Sequence, residues 1–359
     1  MHMADALLSP AVGGAMWAVS AGTIAYCAKK VRSELDDRKV PLMGVLGAFL
    51  FSAQMINFTI PATGSSGHLG GGLLLAVLLG PYAAFLTIAS VLVVQSLFFA
   101  DGGILALGCN IFNMGFIPAF IVYPFIYKKI VGNNPSQTRM NTAIMVSAII
   151  GLQLGPFAVV LQTLFSGISA LPFSTFVLLM QPIHLAIGAV EGFVTMAVVS
   201  FVYQARPEII QGAMEARPIG NHPVRNVLMV FLAATLITGG VVSWFASEHP
   251  DGLEWAIGKV TGQEELKGSE QGIYGALAAL QEKTAFLPDY SFKKPTEAKK
   301  VEVQSAGEVK KEGAKPAGEP QADDGGKLGT TVSGIIGALI TLALAFMAGF
   351  LLKKRNQAT

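Results

Sequence analysis

The chain has 359 residues, of which 52% are hydrophobic and 13% charged, with mean hydropathy +0.55 and a formal net charge of +2. A soluble domain carries about 25% charged residues, so this composition excludes an ordinary soluble globule, and the near-zero net charge gives no nucleic-acid signature. The two cysteines, Cys27 and Cys109, are too few for a disulfide framework and lack zinc-ligand spacing.

The chain opens Met1-His2-Met3. A terminal amine, a backbone nitrogen and an imidazole are adjacent there and can chelate one ion. The amine and the next backbone nitrogen close a five-membered ring. That nitrogen and the near ring nitrogen of His2 close a six-membered one. Three coplanar nitrogens suit square-planar Ni(II) or Cu(II), with one corner open. The chelate requires Met1 to stay in place, as expected when the second residue is as large as His2. The start lacks a basic n-region, carries Asp5 and has no convincing cleavage site, so it does not read as a signal peptide.

Apolar runs long enough to span a bilayer, about 20 residues each, follow at roughly 11–28, 41–60, 82–99, 107–127, 141–165, 177–203, 226–246 and 331–352. A shorter run, 69–80, ends at Gly80-Pro81. Charge placement decides how to count it. Basic residues cluster in 29–39, 128–139, 206–225 and 353–355. All four loops fall on the cytoplasmic side, as the positive-inside rule asks, only if 69–80 crosses as a short tilted helix. The expected architecture is therefore an all-α polytopic membrane protein: seven crossings in residues 1–205, a cytoplasmic linker at 206–225 with three prolines, and a two-span module at 226–352. Within that module, 247–290 reads as an external domain with short helices. Residues 291–328, rich in Lys, Glu, Ala, Pro and Gly, read as a disordered tether. Small residues at helical spacing, Gly44 with Ala48 and Gly188 with Gly192, fit close helix packing.

This topology puts the N-terminus outside, together with loop 61–68 and loop 100–106. His68, in Gly67-His68-Leu69-Gly70-Gly71-Gly72, is then a candidate fourth nitrogen ligand, or an ordinary loop histidine ahead of a helix. Asp101, before Gly102-Gly103, orients a ligand, attracts a dication, or caps a helix or turn; Asp5 either holds the N-terminal segment down or caps the helix beginning near Ser9-Pro10. His184 and Glu191 lie seven apart in an apolar span, on one helix face, where an ionisable group is a functional candidate as well as a helix-to-helix hydrogen-bonding group. Gln54, Asn57, Gln95, Asn110 and Asn113 read as bundle glue, with Asn57 and Gln95 near enough to the outer face to line a site. No phosphate loop is present: Gly325-Gly326-Lys327-Leu328 has neither the spacing nor the hydroxyl. There is no nucleophile–base pattern, so a non-enzymatic role is expected.

Several of these stretches carry a resemblance. Met1-His2, Gly67-His68-Leu69-Gly70-Gly71-Gly72, Phe99-Ala100-Asp101-Gly102-Gly103, Ala106-Leu107-Gly108, Asn110-Ile111-Phe112-Asn113-Met114-Gly115 and the His184 to Gly192 span resemble the cobalt/nickel substrate-capture subunits of energy-coupling-factor transporters (CbiM/NikM type) over residues 1–205. Residues 226–352 resemble the two-span accessory subunit (CbiN/NikN type). Pro250-Asp251-Gly252-Leu253-Glu254 and Pro288-Asp289-Tyr290 look like its fused PDGLE form. Many family members continue Pro-Asp-Gly after the second or third residue, whereas this chain reads Met3-Ala4-Asp5-Ala6.

The resemblance implies a seven-helix capture module joined to an accessory module, in the cytoplasmic (inner) membrane. Met1, His2 and His68 would hold the ion. The partners would be a scaffold subunit (CbiQ/NikQ type) and ATPase subunits (CbiO/NikO type). Ni2+ or Co2+ is cargo, and no cofactor is implied. Nickel is the leading reading. Cobalt uptake for cobalamin synthesis and secondary transport of an organic solute are the alternatives.

Overall fold

A computed structural model of the chain describes residues 2–34, 38–132, 135–219, 223–266, 268–293 and 324–354. Met1 and most of the expected tether, 294–323, lie outside the described residues. The helices of the first module are α1 (Pro10–Glu34), α2 (Lys39–Gln54), α3 (Gly72–Leu79), α4 (Pro81–Phe99), α5 (Leu107–Ile111), α6 (Lys128–Val131), α7 (Gln137–Ser166), α8 (Phe173–Ala205) and α9 (Pro207–Glu215). Strands β1 (Phe58–Ile60) and β2 (Ser65–Gly67) pair antiparallel, Phe58 opposite Gly67. The second module has α10 (Arg225–Gly240), α11 (Gly252–Thr261), α12 (Gly272–Thr284) and α13 (Asp324–Lys354).

Among the described residues, six helical stretches are long and apolar enough to cross a membrane, and α2 and α10 are shorter apolar helices. The molecule is a multi-pass, mostly helical membrane protein. Between α5 and α6, residues Phe112–Tyr127 continue the helix with π-type hydrogen bonding. Pro118 and Pro124 lie inside this stretch. Each removes a main-chain donor and pushes on the preceding turn, which widens the coil.

Three expected spans are corrected. The run 41–60 is helical only to Gln54, and Phe58–Ile60 is a strand. Thr59 and Ile60 are β-branched, and Pro61 disfavours a helical residue before it. The run 226–246 stops as an α-helix at Gly240, where Gly239-Gly240 ends α10 before a 3-10 turn at Val242–Phe245. The run 69–80 does not cross as one tilted helix. Only Gly72–Leu79 is helical, about 12 Å at 1.5 Å per residue, far short of a bilayer. The extended chain of β2 and residues 68–71 covers the rest. This segment starts beside Glu191, which binds the Gly70 and Gly71 N–H groups, and ends at Gly80 near Ala213 of α9. All eight residues of α3 are buried.

The accessory helices do not stand apart. α10 and α13 pack on α2, which is buried along its length. Gly44 lies against Leu342 and Phe346 of α13, and Gly188 approaches the α7 backbone at Ile149, so the small residues do allow close helix approach. At one end of the bundle, Lys39, Gly80, Pro81, Lys128 and Ala213 border one cavity. At the other end, His2, His68 and Asp101 border another, of about 170 Å³.

Candidate metal centre

Residues 2–8 form a short strap across the end of the bundle that carries His68 and Asp101, and it is pinned almost at once. Met3 N–H donates to Asn110 Oδ1 at 2.9 Å, Asn110 Nδ2 donates to Met3 O at 3.3 Å, and Gly103 N–H donates to the same carbonyl at 3.0 Å. Asp5 Oδ1 accepts from the Ala106 N–H at 2.9 Å. Burial raises the Asp5 carboxyl above its ordinary value, against the lowering effect of that hydrogen bond. Asp5 packs so closely on Gly103 that a side chain at position 103 would overlap its carboxylate. Asp5 therefore ties the strap to loop 100–106; it does not cap α1.

The second half of the site is the β1–β2 hairpin and the turn after it. Gly67 sits against Ile187 with no room for a Cβ, and this lets the chain descend between α8 and α2. Gly70 and Gly71 donate to the two carboxylate oxygens of Glu191, at 2.6 and 3.1 Å. Gln54 Nε2 donates to Gly70 O at 2.9 Å, and Gln95 Nε2 donates to Gln54 Oε1 at 3.1 Å. Glu191, Gln54 and Gln95 thus form one brace beneath the hairpin.

These two supports bring the imidazoles of His2 and His68 into a parallel stack, ring centres 4.9 Å apart and planes 11° from parallel. Each ring faces a carboxylate. His2 Nδ1 lies 3.0 Å from Asp101 Oδ1, and His68 Nε2 lies 3.9 Å from Asp251 Oδ2. His68 Nδ1 is 3.1 Å from Leu69 O, a contact that places the proton on Nδ1 and makes Nε2 the acceptor nitrogen of the neutral ring. Burial, then the positive charge around it, His2 included, pushes the His68 pKa down to about 3, so the ring is neutral at physiological pH. His2 Nε2 is buried and has no hydrogen-bond partner.

The orientation of His2 departs from the chelate the sequence suggests. The near nitrogen, Nδ1, is the one that can share a ring with the backbone nitrogen, and here it faces Asp101. Chelation therefore requires the imidazole to turn about its Cβ–Cγ bond. Among the described residues, no three His, Cys, Asp or Glu side chains converge as a metal cluster. Met1 lies outside the described residues.

The segment of the second module between α10 and α13 closes over these groups. Ser66 N–H donates to Pro250 O at 2.8 Å, Ser66 pairs in parallel with Asp251, and Ser66 Oγ donates to His249 O at 2.7 Å. Trp255 Nε1 donates to Thr63 O at 3.0 Å. Asp251 caps α11 through the Leu253 and Glu254 N–H groups, and Glu254 returns a bond to the Asp251 N–H. Burial would raise Asp251, but surrounding positive charge, His68 included, and the Glu254 N–H hold it well below the ordinary range. Burial and the Asp251 charge lift Glu254 to about 7. On the other side, the Tyr290 hydroxyl donates to Asp101 Oδ2. Asp289 and Tyr290 both have positive φ, 48° and 57°, a strained pair that aims the hydroxyl at Asp101. Burial would raise Asp101; His2 and the tyrosine hydroxyl hold it low.

The candidates named from sequence thus divide. His2, His68 and Asp101 border one cavity, and Asn57 borders it too. Asp5, Gln95 and Glu191 support the strap and the hairpin from behind. His184 binds the Met180 carbonyl through Nδ1 at 2.8 Å and packs under Gly252; its Nε2 is buried without a hydrogen-bond partner. It does not join the two stacked rings. Sequence reasoning gave no role to Asp251 or Tyr290 and assigned Asn110 to bundle packing. The signal for the first two was their place in the Pro-Asp-Gly and Pro-Asp-Tyr motifs.

Comparison with known proteins gives the following. A family model described as "Cobalt uptake substrate-specific transmembrane region" matches residues 2–209, and one described as "PDGLE domain" matches residues 225–354. A chain of Archaeoglobus fulgidus named as a fused nickel transport protein (NikMN) is 30% identical, covering 96% of this chain and 97% of its own. The fused nickel transport protein NikMN of Rhodobacter capsulatus is 28% identical, covering 81% and 88%. The cobalt transport protein CbiM of Geobacter sulfurreducens is 27% identical, covering 67% and 72%. A crystal structure of a truncated transition metal transporter matches with TM-score 0.51 and 31% identity, over 57% of this chain and 99% of that one.

Proposed function

The chain belongs to the cobalt uptake substrate-specific transmembrane (CbiM) family, fused to a PDGLE accessory module, and on that premise we propose that it captures nickel for an ATP-driven energy-coupling-factor importer. The observation that carries this reading is the pair of buried, stacked imidazoles at one cavity, with Nε2 the acceptor nitrogen of His68 and one ring nitrogen of His2 without a hydrogen-bond partner. The ion enters at the outer end and sheds water. The Met1 amine, the His2 backbone nitrogen, His2 Nδ1 and His68 Nε2 take it in a plane. The ring of His2 turns away from Asp101 as the ion arrives, and Asp101 then balances the charge. Protons leave the amine, whose ordinary pKa is about 8, and the amide.

Nickel is preferred to cobalt on two grounds. Four nitrogens in a plane suit Ni(II), and the relatives that match both modules are named for nickel. A metal cargo also fits the named relatives better than an organic solute does. The motor lies elsewhere: a scaffold subunit and two ATPase subunits would move this chain to release the ion inside. Residues 1–205 form the capture module, 206–225 the linker and 226–352 the accessory module.

The test is metal analysis of the purified full-length chain after exposure to equal nickel and cobalt. One nickel per chain is expected, lost in His68→Ala. Retention of metal by His68→Ala contradicts the site, and cobalt in excess of nickel reverses the preference.

A further inference from the structure

Helix α12 carries Ile273, Tyr274, Leu277 and Leu280, yet none of its residues is buried. It lies at the ends of two membrane-length helices. The Tyr274 hydroxyl donates to Leu8 O at 2.8 Å, just before α1 begins at Pro10. Gln281 Nε2 donates to Ser96 O at 2.9 Å, in the last turn of α4, and to Gly102 O at 2.8 Å. Just past α12, Leu287 N–H donates to Phe98 O at 3.4 Å. The Phe286 ring there lies 5.7 Å from that of Phe98 and 5.9 Å from that of Phe99. Both α1 and α4 are long and apolar enough to cross a membrane. The 19 residues of α4 cover about 28 Å at 1.5 Å each. A hydrocarbon layer is about 30 Å thick, so the last turn of α4 marks its edge.

At about 3.6 residues per turn, the faces of α12 separate. Tyr274 and Gln281 point at the ends of α1 and α4. Gly275, Ala278, Ala279 and Glu282 fall on a second face and border a cavity of about 560 Å³ together with His2 and Asp101. Ile273, Ala276 and Leu280, at i, i+3 and i+7, lie opposite that second face, and none of the three borders the cavity. Ile273 is 47% exposed, Leu280 45% and Phe286 42%. Exposed apolar residues are ordinary on any protein surface; what distinguishes these is their level. On α4, the incompletely buried Ser90, Val93, Leu97 and Phe98 run along one side, and Phe286 continues that stripe past the helix end.

We propose that α12 is an interfacial helix whose Ile273–Ala276–Leu280 face, with Phe286, rests in the lipid leaflet at the His68 end of the bundle. A helix in that plane sinks its apolar face roughly 5–10 Å into the boundary between headgroups and acyl chains. Lys283, exposed and three residues after Leu280, extends to the headgroup phosphates. The same helix touches the strap at Leu8 and loop 100–106 at Gly102, so lipid contact holds it over both. The anchor is independent of which ion the chain captures.

The experiment uses the full-length chain in vesicles of phosphatidylcholine and phosphatidylglycerol. In the first arm the chain is unaltered, and a photoactivated carbene reagent dissolved in the acyl chains is mapped by mass spectrometry. Adducts are expected at Ile273, Leu280 and Phe286 and not at Ala279 or Glu282. Labelling of α1 and α4 without any at Ile273, Leu280 or Phe286 overturns the anchor. The second arm attaches a nitroxide to Leu280→Cys and, separately, to Ala279→Cys. Cys27 and Cys109 are buried, and the unaltered chain is the labelling blank. In Leu280→Cys, collisions with oxygen should exceed those with aqueous chromium oxalate, and in Ala279→Cys the order should reverse. Equal ratios in the two variants contradict lipid contact. A label in Leu280→Cys that is screened from both reagents shows a face covered by protein, a second copy included, and also overturns the proposal.

Discussion

The two imidazoles are held in different ways. The strap that carries His2 is fastened to the first module near its start, Met3 to Asn110 and Gly103 and Asp5 to Ala106, and to the second module at its end, where the Tyr274 hydroxyl donates to Leu8 O at 2.8 Å. The hairpin that carries His68 is fastened by both modules. Glu191 and Gln54 grip its inner end, while Pro250, His249 and Trp255 grip its outer half. The His2 end of the strap is thus held by main-chain bonds to the first module, with the second module touching the far end at Leu8, whereas the hairpin is held directly by both. The second module therefore reaches the hairpin beside His68 directly, and the strap at Leu8, away from His2.

The largest effect should come from removing either ring's contribution. His68→Ala, and separately one extra residue ahead of Met1, should each weaken nickel binding by more than the about 100-fold that loss of a supporting group costs; calorimetry reads both. An extended chain that binds normally would show that the terminal amine is not a ligand. Next come the supports. Asn110→Ala should loosen the strap and Glu191→Gln the hairpin. Each leaves buried N–H or C=O groups unpaired at about 1–3 kcal/mol, roughly a ten- to hundredfold loss in affinity. Hydrogen exchange should then separate them: Asn110→Ala exposes amides of residues 3–8 only, and Glu191→Gln exposes those of 65–71 only. Spread of either effect to the other segment would break the comparison.

Acid should discriminate between hairpin and lid. The His68 pKa is depressed to about 3 from an ordinary 6.5, so below pH 6.5 the opened hairpin takes up a proton that the closed one does not. Closure weakens as pH falls, by about 1.4 kcal/mol per unit, or about 2 kcal/mol between pH 6.5 and 5. Glu254 has the opposite sign. Its pKa is raised to about 7 from 4.5, so docking of the accessory segment strengthens as pH falls through that window. Asp101 and Asp251 are held low and change stability only at more acid pH. In Glu254→Gln the hairpin amides should therefore lose protection steeply below pH 6.5, while the unaltered chain shows a shallower response. Identical pH profiles would remove the opposition. The smallest effect is Tyr290→Phe, which frees Asp101 of one partner and should shift affinity by about tenfold at most, the low end of what one hydrogen bond to a charged group contributes.

Local pattern made much of this legible. The apolar runs located the long helices to within a few residues, and charge placement put His2, His68 and Asp101 at one end of the bundle. What escaped was set by contacts distant in sequence. Nothing near Ser66 announces that Pro250 will pair with it. Nothing near Asp101 announces Tyr290, 189 residues away. The run 41–60 looked like one helix because apolar residues alone do not distinguish a buried strand from a helix end. Asn110 was read as bundle glue because an amide in an apolar span usually bonds another helix, whereas here it bonds the main chain of Met3.

The most direct test is the nickel K-edge X-ray absorption spectrum of the loaded full-length chain. Four nitrogen donors in a square plane are predicted, with loss of the square-planar signature in His68→Ala. A six-coordinate, oxygen-rich spectrum that is indifferent to His68 would contradict the account.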